Sequence, residues 1–150
     1  MKTETKTKNL FVRAAATLVL MLLTTATAWA QVNTELTEGD WKYMYDNTNA
    51  ATLTEYIGTA TSVTTPTTIA GHTVVSIGYR CFFSAKNTLE SVVISSGVSF
   101  IGAYAFDSCN KMTSITIPSS VNTISEAAFY FCSGLTSIAL PRNEPSPVAG

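Results

Sequence analysis

Apolar and polar positions recur along the chain with a period of 23. Residues 89–111 read LESVVISSGVSFIGAYAFDSCNK and residues 112–134 read MTSITIPSSVNTISEAAFYFCSG. In register, eight positions are identical: Ser91/Ser114, Ile94/Ile117, Ser96/Ser119, Val98/Val121, Ile101/Ile124, Ala105/Ala128, Phe106/Phe129 and Cys109/Cys132. Leu89/Met112 and Val92/Ile115 keep apolar character, and a further copy begins at Leu135-Thr136-Ser137-Ile138-Ala139-Leu140-Pro141. A looser copy precedes them: Ser62 to Pro66 matches Ser114 to Pro118, and Ile77 to Phe82 matches Ile101 to Phe106. Between its two parts, Ala70 to Val74 form a five-residue insertion, and Gly71-His72 predicts a turn there.

Within a repeat, Leu89, Val92 and Ile94 fall at i, i+3 and i+5 and predict a strand. Val98 and Ile101 continue the apolar side, and Ala105, Phe106 and Cys109 are spaced for one face of a single helical turn. One such coil cannot cover its own inward side chains, so neighbouring coils must stack, with strands about 4.8 Å apart in a parallel sheet. Upstream, Trp41 to Tyr45 predicts a strand, Asp46 to Asn49 a turn and Leu53 to Ile57 a second strand. The chain then divides into a flexible leader over 31–40, a hairpin cap over 41–61, repeats over 62–88, 89–111, 112–134 and 135–141, and an irregular tail over 142–150.

The pattern L-x-S-[IV]-x-[IL]-P-x-S-V-x-x-I-G-x-x-A-F-x-x-C, carried by Leu89 to Cys109 and Met112 to Cys132, resembles the BspA-type leucine-rich repeat of bacterial surface proteins. The resemblance spans roughly residues 41–141. Ser95 stands in place of the pattern's Pro, Ser125 in place of its Gly and Ala85 in place of its Cys. It implies a β-rich leucine-rich-repeat solenoid of the α/β horseshoe type, with a stacked parallel sheet, short helical turns and an N-terminal hairpin cap. It also implies a secreted or surface-exposed scaffold for protein recognition or adhesion, and with no catalytic motif in the sequence no enzymatic activity is expected. The last coil lacks its second half, which predicts a truncated member of a longer repeat protein, passive by itself, or one that associates end to end.

Composition adds a destination. Lys2, Lys6, Lys8 and Arg13 precede an uncharged stretch from Ala14 to Leu23, and Ala28-Trp29-Ala30 places small residues for cleavage before Gln31. As a helix, that stretch covers about 15 Å, half of a roughly 30 Å hydrocarbon core. Residues 1–30 therefore read as a removed export signal, and no membrane insertion is expected afterwards. The whole chain holds 9 Lys+Arg and 10 Asp+Glu, and the signal takes four basic residues and one acidic one. A mature net charge of −4 disfavours nucleic acid, whose phosphates require a basic face.

Candidate chemistry is sparse. His72 is the sole histidine and has no partner at a catalytic spacing. No motif for a metal, a nucleotide or another cofactor is present, and Glu35, Glu38 and Asp40 lack the ligand spacing of a calcium loop. Cys81, Cys109 and Cys132 are an odd set for an exported chain. Cys109 and Cys132 share a repeat position, which suits either a buried ladder of thiols or a disulfide. Two surfaces remain. One is a small neutral face of Ser62/Thr64, Ser91/Val93, Ser114/Thr116 and Ser137/Ala139. The other is a set of aromatics beside the helical turns: Tyr79, Phe83, Tyr104, Tyr130 and Phe131. Asp107 and Ser108 occupy the positions of Tyr130 and Phe131 in the preceding repeat, so the coil does not require those rings. Exposed aromatics suit an extracellular protein partner or a glycan.

Overall fold

A computed structural model describes residues 34–139. The export signal expected at 1–30, residues 31–33 of the expected leader, Leu140, Pro141 and the tail at 142–150 lie outside the described residues.

The chain opens with three antiparallel strands: β1 (Leu36–Glu38), β2 (Trp41–Tyr45) and β3 (Ala50–Tyr56). β2 and β3 are the hairpin expected from the sequence. The Asp46 carboxylate shapes its turn by accepting bonds from the Thr48 and Ala50 amides at 2.8 and 3.1 Å, with Asn49 left-handed at φ 69°. β1 corrects the expectation of a structureless leader. Leu36 pairs with Tyr43 and packs on the core, and Glu35 accepts a bond from Thr54 at 2.8 Å. A three-residue strand has too little alternation to be seen in sequence, but its backbone donors are satisfied by β2.

The repeats follow as stacked coils. β4 (Ser62–Thr64), β7 (Ser91–Val93), β9 (Ser114–Thr116) and β11 (Ser137–Ala139) form one parallel sheet in the order β11-β9-β7-β4. Its register places Ser62, Ser91, Ser114 and Ser137 in one row, matching the sequence alignment. A second parallel ladder was not anticipated. β6 (His72–Ile77), β8 (Phe100–Ile101) and β10 (Thr123–Ile124) stack on β3, extending the hairpin sheet down the opposite leg of each coil. The five-residue insertion lies where β5 (Thr68–Ile69) turns through Ala70-Gly71 and pairs antiparallel with β6. His72 therefore begins a strand instead of sitting in the turn.

The expected helical turn becomes a 3-10 helix over Phe83–Ala85 in the first coil and hydrogen-bonded turns in the next two. The first coil takes seven steps from Phe82 to Leu89, whereas the second takes six from Phe106 to Met112, and the additional residue completes the helical turn. Amide groups in these turns also bond between coils, Phe82 to Ala105 and Phe106 to Ala128, both at 2.9 Å, and the Tyr56 amide at the end of β3 donates to the Cys81 carbonyl at 2.7 Å. Donors used sideways are unavailable for a longer helix.

A ring spine runs through the core. Trp41 lies against Tyr56 at 4.8 Å and edge-on to Phe82 at 5.6 Å. Phe82 stacks on Phe106 at 4.7 Å, and Phe106 on Phe129 at 5.2 Å, both pairs nearly coplanar. Phe82 and Phe106 are fully buried, and Phe129 is half-buried at the last described coil. The fold is a β-rich leucine-rich-repeat solenoid closed at its N-terminal end by the hairpin.

Candidate functional site

Each coil turns the corner between its two ladders at the Phe-bearing segment, and side chains not needed by the spine line that corner. The backbone imposes a left-handed residue at one repeat position: Arg80, Tyr104 and Ala127 have φ of 52, 57 and 53°. Ser108 and Phe131 take φ of 61 and 52° at a second. These side chains turn away from the core in successive coils.

Four of the five aromatic residues singled out from the sequence, Tyr79, Tyr104, Tyr130 and Phe131, form a contacting row along this corner, and Phe83 joins them through the Arg80 guanidinium. Tyr79 meets Tyr104 edge-to-face at 6.0 Å, Tyr104 meets Tyr130 at 5.7 Å, and Tyr130 meets Phe131 at 4.3 Å. Tyr79, Tyr130 and Phe131 are 61, 48 and 64% exposed, whereas Phe83 and Tyr104 are half-buried. Edge-to-face contacts place the positive edge of one ring on the negative face of the next, so the row holds together without burial.

Sequence reasoning missed the residue at the centre of the row. The Arg80 guanidinium lies 5.5, 4.9 and 5.9 Å from the ring centroids of Tyr79, Phe83 and Tyr104. One of its nitrogens is 3.0 Å from Asp107 Oδ2. Asp107 is buried, and its other oxygen accepts a bond from Ser108 at 2.7 Å. Lys86 places its ammonium 3.8 Å from the Phe83 centroid. A signal existed: Arg80 aligns with Tyr104 and Ala127, and Asp107 with Phe83 and Tyr130. Two departures from the repeat in adjacent coils carry opposite charges.

The other candidate face is flat. Ser91 donates to Ser62 at 2.7 Å, so the hydroxyls at the start of β4 and β7 satisfy one another. Thr65 occupies the buried position that Ile94 and Ile117 fill elsewhere. Its hydroxyl accepts the Ser95 amide at 2.9 Å, and Ser95 Oγ donates to the Thr65 carbonyl. The absent proline is thereby explained: only a residue with an N–H can satisfy a buried Thr65 hydroxyl.

The remaining polar groups serve structure. His72 stacks on Tyr45 at 3.7 Å and its Nδ1 lies 2.6 Å from Asn49 Oδ1, tying the inserted turn to the hairpin turn. The three cysteines are free thiols. Cys109 and Cys132 stack as the alignment requires, but each thiol points to the carbonyl of the preceding coil's phenylalanine. Cys109 donates to Phe82 at 3.8 Å and Cys132 to Phe106 at 3.0 Å. Burial pushes the Cys81 thiol up and raises Cys109 to about 12, so neither is a nucleophile at neutral pH. Among the described residues, no group of three His, Cys, Asp or Glu could hold a metal, and no helix is long and apolar enough to cross a membrane. A shallow depression of about 160 Å³ beside Met44, Tyr45 and Asp46 is too open to enclose a small molecule.

Comparison with known proteins agrees with this architecture. The family model described as BspA type leucine rich repeat region matches residues 56–146 in six copies. Solved structures with the same fold include the leucine-rich repeat protein of T. pallidum (30% identity, TM-score 0.66, 73% of this chain, 51% of that one). A leucine-rich cell surface protein from Faecalibacterium prausnitzii matches at 33% identity and TM-score 0.65, over 71% of this chain and 30% of that one. A leucine-rich repeat protein from Bacteroides ovatus matches at 31% and 0.58, over 71% and 29%. The chain spans about half the length of the first of these proteins and under a third of the other two. No curated protein matches it. With that model matching residues 56–146, the segment that holds the repeats, the protein belongs to the BspA-type leucine-rich repeat family.

Proposed function

We propose that this chain is an exported recognition module, displayed at the cell surface or secreted, that docks an extracellular protein through Tyr79, Phe83, Tyr104, Tyr130 and Phe131 and performs no catalysis. The observation carrying this reading is that the rings line one corner of the solenoid while the preceding coil places Asp107 and Ser108 where Tyr130 and Phe131 stand, so the coil does not need those two rings. Residues that neither fill the core nor complete a ladder, yet form a connected aromatic row, have the composition of a binding hot spot. The charge pattern and apolar stretch of residues 1–30 support export. The test is a screen of purified residues 31–150 against extracellular proteins and glycans, beside Tyr130→Ser/Phe131→Ser. Binding that is lost in a variant with unchanged unfolding supports the proposal. No ligand for either protein contradicts it and favours a passive segment of a longer repeat array.

A glycan is the second reading. Tyr79, Tyr104 and Tyr130 come from successive coils at centroid steps of 6.0 and 5.7 Å, a row that consecutive sugar rings could stack along. Binding confined to the glycan arm of the screen would favour it.

A further inference from the structure

Arg80 and Lys86 give the aromatic row a sign. Mature residues 31–150 carry a net charge of −4, yet this corner presents two cations on one ring: the Arg80 guanidinium and Lys86 ammonium lie 4.9 and 3.8 Å from the Phe83 centroid. Their electrostatic surroundings differ. Asp107 balances Arg80, but its carboxylate is buried and engages the guanidinium through one nitrogen. Guanidinium has five N–H donors, and the Arg80 side chain is 44% exposed, so donors remain directed to solvent from a group held in place by three rings and a buried acid. Lys86 forms no ion pair among the described residues. The nearby carboxylate of Glu55 is occupied by Lys42 at 2.6 Å and by the Ser84 hydroxyl.

A guanidinium fixed before binding loses little conformational freedom when it meets a carboxylate, and it offers the paired geometry a carboxylate prefers. The flanking tyrosines and phenylalanines exclude water around that contact. We infer that Arg80 and Lys86, seated on Phe83 within the aromatic row, form a carboxylate-docking site for an acidic segment of a protein partner, with aromatic or aliphatic side chains of that segment lying along Tyr104, Tyr130 and Phe131. This deepens the proposed function and rests on it. The charge complementarity favours an acidic protein segment over a neutral glycan, which would leave Lys86 without a counter-charge and the outward donors of Arg80 without a carboxylate.

The probe is an immobilised Glu-Tyr copolymer, with a Lys-Tyr copolymer and the anionic glycan heparin as comparators, measured by optical interferometry at low and high salt with residues 31–150. Expected are salt-sensitive binding to Glu-Tyr alone and association slowed about tenfold by Lys86→Glu, which removes the contact with Phe83 inside one coil and no ion pair. Arg80→Met/Asp107→Leu removes the fixed guanidinium without orphaning a buried charge, and a cooperative melt verifies its fold; it should also lose binding. Tyr130→Ser/Phe131→Ser separates the two levels. If this variant loses Glu-Tyr binding while Lys86→Glu and Arg80→Met/Asp107→Leu retain it, the aromatic row stands and the carboxylate site falls. If no variant changes binding, both fall. Absence of Glu-Tyr binding, or stronger binding to heparin, also overturns the acidic-segment inference.

Discussion

The spine and the corner of the solenoid are built from adjacent residues under opposite constraints. At the spine, Phe82, Phe106 and Phe129 repeat because each ring is a wall for the next, and a smaller residue would leave a void in two coils. At the corner, one position reads Phe83, Asp107, Tyr130 and its neighbour reads Ser84, Ser108, Phe131. The backbone at the first of these positions repeats one amide bond within each coil whichever side chain is present: Phe83 donates to the Arg80 carbonyl, Asp107 to Tyr104 and Tyr130 to Ala127. Regularity marks what holds the array together, and variation marks the corner where the partner site is proposed.

The largest stability effect should come from the spine. Phe106→Ala is expected to cost about 3–5 kcal/mol in urea unfolding, because both flanking rings lose a face; Phe129→Ala should cost less because its outer side is already open. Equal costs would mean that the rings do not act as a stack. A second test uses backbone proximity. A Cβ on Gly102 would lie 2.9 Å from the Gly78 carbonyl carbon and 3.0 Å from the Ile77 oxygen, so Gly102→Ala should cost about 1–3 kcal/mol. The same change at Ser125, where a side chain is already accommodated, should be nearly neutral.

The Thr65–Ser95 pair offers a coupled test. Ser95→Pro alone strands the Thr65 hydroxyl and should cost about 1–3 kcal/mol, whereas in a Thr65→Ile background the same proline should cost much less. Additive effects in the double-mutant cycle would show that the two departures from the repeat are unrelated.

The thiols give a pH dependence with a defined sign. Cys109 is raised to about 12 when folded, against about 8.5 in an unfolded chain. Between those values the unfolded state releases a proton that the folded state keeps, so its contribution makes stability fall as pH rises through that window. Cys81, also raised by burial, acts in the same direction. Cys109→Ala should flatten the decline measured by chemical unfolding between pH 8.5 and 10. At pH 8, thiol titration of the native protein should modify half-buried Cys132 first, and denatured, unreduced protein should yield three free thiols.

These contrasts also explain what was legible in the sequence. The 23-residue period exposed the strand row from Ser62 to Ser137 and the inward Phe series, because identical environments recur and select identical residues. β8 and β10 escaped notice because two-residue strands carry no alternation; their pairing is imposed by stacking. β1 escaped for the same reason. At the candidate site, aromatic identity was readable, whereas Arg80 showed only as a charged departure from the repeat: its role depends on Asp107, 27 positions away and one coil removed, which only the alignment of coils brings beside it.

Phe129, Tyr130 and Phe131 place the whole contrast within three consecutive residues, one facing the spine and two facing out. Comparing urea unfolding of Phe129→Ala with that of Tyr130→Ser/Phe131→Ser tests it most directly. The predicted result is a loss of about 2–3 kcal/mol for Phe129→Ala and a change within about 0.5 kcal/mol for the double variant. A larger loss for the double variant than for Phe129→Ala would show that the corner rings hold the coils together, contradicting the division of labour on which the functional reading rests.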